Sequence, residues 1–209
     1  MAEEKGLKYY LKRFWFLLWK DDSLKGWIFS IIFLFIFIKF IFFPVLSLAT
    51  GTSLPLAIVE SCSMYHQGNL FSDFNAWWTR HDAKYALYII NELDFQAFPL
   101  KNGFNKGDIL FIVHVDPSKL KVGDIIIFNA GQANPIIHRI VNITETNGQE
   151  TFSTEGDNNN GQLTFENGIT GNQIVGKAVL KVAPYLGWVK LIFYDWEKPV
   201  GERGFCHEN

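Results

Sequence analysis

Between Gly26 and Leu48 the chain reads GWIFSIIFLFIFIKFIFFPVLSL, and Lys39 is the only charge in that stretch. About 20 apolar residues in helical form match the roughly 30 Å hydrocarbon layer of a bilayer, so the segment is read as one transmembrane helix. A cleavable signal peptide would have a shorter apolar core of about 7 to 15 residues, although SLATG at Ser47 to Gly51 is a faint match to a cleavage site. The remainder of the fold is therefore expected behind an uncleaved anchor.

Charge around the span sets its expected orientation. Lys5, Lys8, Lys12, Arg13, Lys20 and Lys25 precede it, and after it no Lys or Arg occurs until Arg80. Positive residues stay on the cytoplasmic side, so the N-terminus is expected in the cytoplasm and the body of the chain on the outer or lumenal face of a cell membrane. Within residues 1–25, Leu7, Tyr10, Leu11, Phe14, Leu17 and Leu18 recur at helical spacing. That pattern describes an amphipathic helix at the membrane interface, or one packed on a partner subunit.

The 209 residues leave room for one compact domain beyond the anchor. From Gly107 onward, GDILFIVHV, VGDIIIFNA, PIIHRIVNI, ETFSTEGDN and QIVGKAVLKVA are short β-branched or aromatic runs separated by turn residues. They predict a mainly β domain, a small antiparallel sheet or partial barrel folded on itself, over residues 49–197. Residues 69–105 read as an aromatic insertion that is helical from Ala83 to Leu93. Its Trp77 and Trp78 are expected to rest at the headgroup region of the bilayer. Tyr185 to Pro199 reads as an interfacial segment or a helix covering the sheet, and residues 198–209 as a polar tail.

A net charge of −2 offers no electrostatic reason for a nucleic-acid partner. No Cys or His spacing resembles a metal site, and no cofactor is expected. Cys62 and Cys206 are the only cysteines. One lies in a serine cluster and the other in the tail, so both are expected as free thiols.

The chemistry-bearing residues are few. A serine hydroxyl becomes a nucleophile when a base removes its proton, and a histidine base works best with a carboxylate behind it. Ser61 and Ser63 lie in ESCSMYHQ just beyond the span, His138 in NPIIHRIVNI, and Asp157 in TEGDNNN. Alone, each has an ordinary structural reading: a capping serine, a packed histidine, a turn aspartate. His66, three residues from Ser63, is an alternative base that reads first as a solvated turn histidine.

Taken in order, these boxes carry a resemblance. Ser-x-Ser-Met beyond a transmembrane helix, then GDI, P-I-x-H-R, GDNN, IVGKA and PYLGW between Ile58 and Leu191 resemble the signal peptidase I family of the archaeal and endoplasmic-reticulum type (peptidase family S26). The resemblance implies Ser63 as nucleophile, Ser61 as an oxyanion-binding hydroxyl, and His138 as general base in place of the lysine of the bacterial branch. It implies Asp157 as the acid. A further acid six residues on in the family falls here on Leu163, so Glu166 is the alternative carboxylate, with Asp157 placed first. Cys62 stands where the family has Gly, and His66 where it has Pro.

The resemblance further implies a membrane-anchored serine endopeptidase that removes signal peptides from exported preproteins. Small residues before the cut would be held in extended form against a strand edge. Expected partners are signal-peptide-bearing preproteins, the lipid bilayer and the protein translocation machinery. Two other readings stay open. One is a catalytically inactive, membrane-tethered signal-peptide-binding module, which the missing carboxylate at Leu163 favours. The other makes Cys62 the nucleophile of a transpeptidase.

Overall fold

The computed structural model describes residues 6–67, 74–146 and 148–207, so Phe71 and the start of the expected insertion lie outside the described residues. It divides into two compact units, Met1–Ala49 and Thr50–Asn209.

The first unit is a helical hairpin. Helix α1 (Leu7–Trp19) is followed by a turn in which Ser23 caps the next helix, accepting from the Gly26 amide at 3.2 Å. Helix α2 (Leu24–Thr50) has 27 residues and is long and apolar enough to cross a membrane. At a rise of about 1.5 Å per residue it extends roughly 40 Å. A π-helical turn, Ile38–Phe42, interrupts it just before Pro44, where Phe43 donates to the Ile38 carbonyl. Proline has no amide to give its own turn, and the wider turn before it absorbs that break. The Phe14 ring of α1 meets Phe29 and Phe33 of α2 edge-on, and the Ser30 hydroxyl donates to the Leu17 and Leu18 carbonyls.

The second unit is built on one antiparallel sheet of seven strands: β1 (Leu56–Ile58), β2 (Ile109–Val113), β3 (Ile125–Phe128), β4 (Ile136–Thr146), β5 (Gln149–Glu155), β6 (Ile169–Thr170) and β7 (Ile174–Ala183). Their order is β1-β2-β7-β3-β4-β5-β6. The five longer strands fall in the five β-branched or aromatic runs. The two edge strands, of three and two residues, are too short to carry a pattern.

Strand β3 lies at the centre, and all four of its residues are buried. Side chains alternate across a strand, so Ile125 and Ile127 enter one core with Leu110, Ile112, Phe104 and Met64, while Ile126 and Phe128 enter another with Ile140, Phe152 and Ile169. This strand, apolar at every position, is thus covered on both faces.

A third core belongs to the insertion. Helix α3 (Phe74–Ala86) places Trp77, Trp78 and Tyr85 on one face, where they pack with Phe95 of helix α4 (Glu92–Gln96) and with Val141. The expected helix over Ala83 to Leu93 is corrected here. Spacing at 74, 77, 78 and 85 drives an earlier helix, and the chain passes through the left-handed region at Ile89 (φ 61°). A capping box of Asn91 with Asp94 then opens a new helix. Trp77 and Trp78 are buried at 1% and 7% exposure, so their expected place at the membrane surface is also corrected.

Helix α5 (Trp188–Leu191) covers the sheet end. Trp188 Nε1 donates to the Lys106 carbonyl at 3.0 Å, and Gly107 (φ 91°) leaves no room for a Cβ against that ring. The C-terminal residues fold back on the domain as well. The Lys106 ammonium, almost fully buried, pairs with Asp195 and donates to the Glu202 carbonyl at 2.7 Å.

Candidate active site

Ser63 lies in an irregular turn that both neighbours hold in place. Its successor Met64 is buried in the first core, and the Met64 carbonyl accepts from the Phe104 amide at 2.9 Å. The Ser63 carbonyl accepts from the Asn158 amide at 2.7 Å, and the Asn158 side-chain amide donates to the Cys62 carbonyl at 3.1 Å. A Cβ on Gly156 would stand 2.8 Å from the Ser63 carbonyl oxygen. Only glycine lets the GDN turn lie this close to Ser63.

His138 comes from β4, in register with Ile126 of β3, and the residue is 4% exposed. The ring joins two residues distant in sequence. Nε2 stands 2.8 Å from Ser63 Oγ, and Nδ1 is hydrogen-bonded to Glu166 Oε1. A carboxylate against Nδ1 favours the tautomer with the proton on that nitrogen, which turns the Nε2 lone pair towards the serine hydroxyl. Ser61 Oγ lies 3.1 Å from Ser63 Oγ.

Glu166 is fully buried at the end of a single 3-10 turn, Thr164–Glu166. Its second oxygen accepts from the Leu163 amide at 2.6 Å. Leu163 thus contributes only its backbone, and the carboxylate arrives from three residues further along the turn.

Asp157, placed first as the carboxylate behind His138, faces elsewhere, and that expectation is corrected. It is fully buried and takes the fork of Arg139, with Nε to Oδ1 at 2.9 Å and Nη2 to Oδ2 at 2.7 Å. It also accepts from His66 Nε2 at 2.9 Å and from the Tyr85 hydroxyl at 2.9 Å. The reason is steric alternation: Arg139 follows His138 on β4, so the two side chains leave opposite faces of the strand and meet different carboxylates.

Burial alone pushes the Asp157 carboxyl up, but the Arg139 guanidinium and then His66 outweigh it and hold it well below the usual carboxylate range. Burial pushes His66 below the ordinary histidine range against the pull of Asp157. Burial, followed by Asp157, pushes the Tyr85 hydroxyl well up. His66 is therefore a neutral donor to an ionised carboxylate. It is no solvated turn residue: it is 2% exposed and stacked on Trp77 with ring centroids 3.6 Å apart.

Cys62 and Cys206 are joined in a disulfide, which corrects the expectation of free thiols. Their separation of 144 residues is closed because the tail returns to the Ser63 turn, where Asn158 Nδ2 also donates to the His207 carbonyl at 3.0 Å. Nothing in the spacing of two cysteines carries that information. A bridged Cys62 has no thiol to act as a nucleophile. Among the described residues, no group of three or more His, Cys, Asp and Glu side chains could hold a metal ion.

No protein-family model matches the chain. Among curated proteins it is similar to the signal peptidase complex catalytic subunit SEC11C of Homo sapiens, with 31% identity over 106 residues, 47% of this chain and 55% of that protein. The signal peptidase complex catalytic subunit sec11 of Neurospora crassa is 30% identical over 110 residues, covering 48% of this chain and 63% of that protein. SEC11 of Candida tropicalis is 36% identical over 61 residues, covering 29% and 36%. The chain spans about half the length of the curated relatives it matches first.

Proposed function

Taking the chain as a homologue of signal peptidase complex catalytic subunits over the half that aligns, we propose that it is a membrane-anchored serine endopeptidase that removes signal peptides from exported preproteins. The observation that carries the reading is the hydrogen-bonded line from Ser63 Oγ through the His138 ring to the buried Glu166.

In this reading Ser63 Oγ attacks the carbonyl carbon of the scissile bond as its proton moves to His138 Nε2. Glu166 keeps the ring in the required tautomer and stabilises the imidazolium that forms. The Ser63 amide and the Ser61 hydroxyl donate to the oxyanion. His138 then returns the proton to the leaving amine, and water, deprotonated by the same ring, releases the acyl group from Ser63. The apolar α2 supports a single-pass anchor, with the N-terminus on the cytoplasmic side and the catalytic unit outside or in a lumen. A disulfide beside the nucleophile suits an oxidising compartment. Preproteins and the translocation machinery are the proposed partners.

The missing acid at Leu163 favours an inert binding module, and the Glu166 carboxylate hydrogen-bonded to His138 supports the active enzyme instead. The test is cleavage of a preprotein by the full-length, detergent-solubilised chain. Wild type is expected to cut, and Ser63→Ala and His138→Ala to lose nearly all activity. Cutting that survives Ser63→Ala overturns the assignment, and a wild type that binds signal peptides without cutting them returns it to the binding module.

A further inference from the structure

The insertion helix α3 reaches into the machinery behind Ser63 through one side chain. Lys84 Nζ donates to the carbonyls of Gly156 at 2.7 Å, Asn159 at 2.8 Å and Asp157 at 3.2 Å. It also stands 3.1 Å from Glu155 Oε1, an ion pair in which the Glu155 carboxylate is 2% exposed and the lysine side chain 15%. Three N–H donors meet three carbonyls, so the ammonium is fully used. Carbonyl dipoles that converge on one point repel one another unless a cation sits between them, and this turn converges three.

That turn is the one that holds the nucleophile. Residues 156–159 carry the Asn158 amide that donates to the Ser63 carbonyl and the Asn158 side chain that donates to the Cys62 carbonyl. Gly156 packs on the Ser63 carbonyl with no side chain between them. A shift of the turn is therefore passed to Ser63, while His138 is held separately by β4 and Glu166. The neighbours of Lys84 on α3 add to the same grip: Tyr85 donates to Asp157, and Trp77 stacks on His66.

We infer that the insertion is an internal brace for the nucleophile turn and that Lys84 is its positioning residue, setting the Ser63 Oγ to His138 Nε2 distance without touching substrate. The inference rests on reading Ser63 as the nucleophile.

Lys84 also lines an open cleft of about 540 Å³ with Arg80, His81, Leu87, Tyr88 and Asn160, so a small cation can reach the site once the side chain is cut back. The experiment compares full-length wild type, Lys84→Ala and Lys84→Met on a soluble peptide substrate, with kcat, KM, circular dichroism and the rate of Ser63 acylation by a fluorophosphonate probe. Lys84→Met keeps the aliphatic stem, so a folded variant is available where the alanine variant does not fold.

Both variants are expected to keep KM and to lose kcat and the acylation rate by about ten- to a hundredfold, since a displacement of about 1 Å at reacting atoms costs up to about 10²-fold. Added n-propylammonium, which replaces the lost side-chain atoms, should restore much of kcat in Lys84→Ala but not in Lys84→Met, where the space is filled. A folded Lys84→Met with wild-type kcat, or one that changes KM alone, overturns the brace while Ser63-dependent cleavage stands. A wild type without Ser63-dependent cleavage or labelling overturns the reading of the site, and the brace with it.

Discussion

His138 Nδ1 is hydrogen-bonded to Glu166, whereas the adjacent Arg139 forks onto Asp157. Two consecutive residues of one strand thus divide two buried carboxylates between the proposed proton relay and a structural ion pair. Each assignment can be checked by removing one charge at a time.

Glu166→Gln replaces the acceptor behind His138 with an amide that stabilises the wrong tautomer, so kcat is expected to fall by up to about 10⁴ with a modest change in stability. Asp157→Asn leaves the Arg139 guanidinium unpaired in the interior, and its main expected effect is a loss of about 3–5 kcal/mol of stability. Measuring kcat and urea unfolding on both variants gives crossed rankings. The opposite ranking would move the relay to Asp157.

Acid should weaken the fold in two stages. His66 has a folded pKa below its unfolded value of about 6.5, so its stabilisation is complete above that value and is lost as pH falls below it, when the unfolded chain takes up the proton first. Asp157 has a depressed folded pKa, and its contribution is present above about 3.9 and lost as pH falls towards the folded value. Unfolding free energy measured against pH should decline from near neutrality downward, and His66→Gln should remove the upper stage alone. A flat wild-type profile between neutrality and mild acid would contradict the buried, neutral His66.

The Cys62–Cys206 bridge predicts that a maleimide reagent labels no cysteine in the folded, unreduced chain and two after reduction and unfolding. A loop of this size is worth up to about 5 kcal/mol through the denatured chain. Cys206→Ala should therefore lower the unfolding midpoint clearly, and labelling of both cysteines without reductant would refute the bridge.

Trp77 lies in the third core and against His66, so Trp77→Ala should cost about 3–5 kcal/mol of stability, as for other buried large-to-small changes. Any loss of cleavage should be equal for a membrane-embedded preprotein and a short soluble peptide. Selective loss on the embedded substrate would return this tryptophan to the bilayer surface.

The features legible in the sequence are those written in neighbouring residues. β-Branched and aromatic runs along Ile109 to Val113 and Ile136 to Thr146 mark strands, and the long apolar run through α2 marks a helix fit to cross a membrane. Ser63 and His138 stand out through the company they keep in short boxes. Which carboxylate stands against His138 was beyond such reading, because Asp157 and Glu166 both follow β5 on the same segment. Only the 3-10 turn at Thr164 and the opposite facing of Arg139 decide between them. The burial of His66, the grip of Lys84 and the bridge from Cys62 to Cys206 likewise depend on segments that meet only after the insertion and the tail have packed. A side chain's chemistry is local, but its partner is chosen by which distant backbone passes within hydrogen-bonding distance, and that is a property of the closed fold alone.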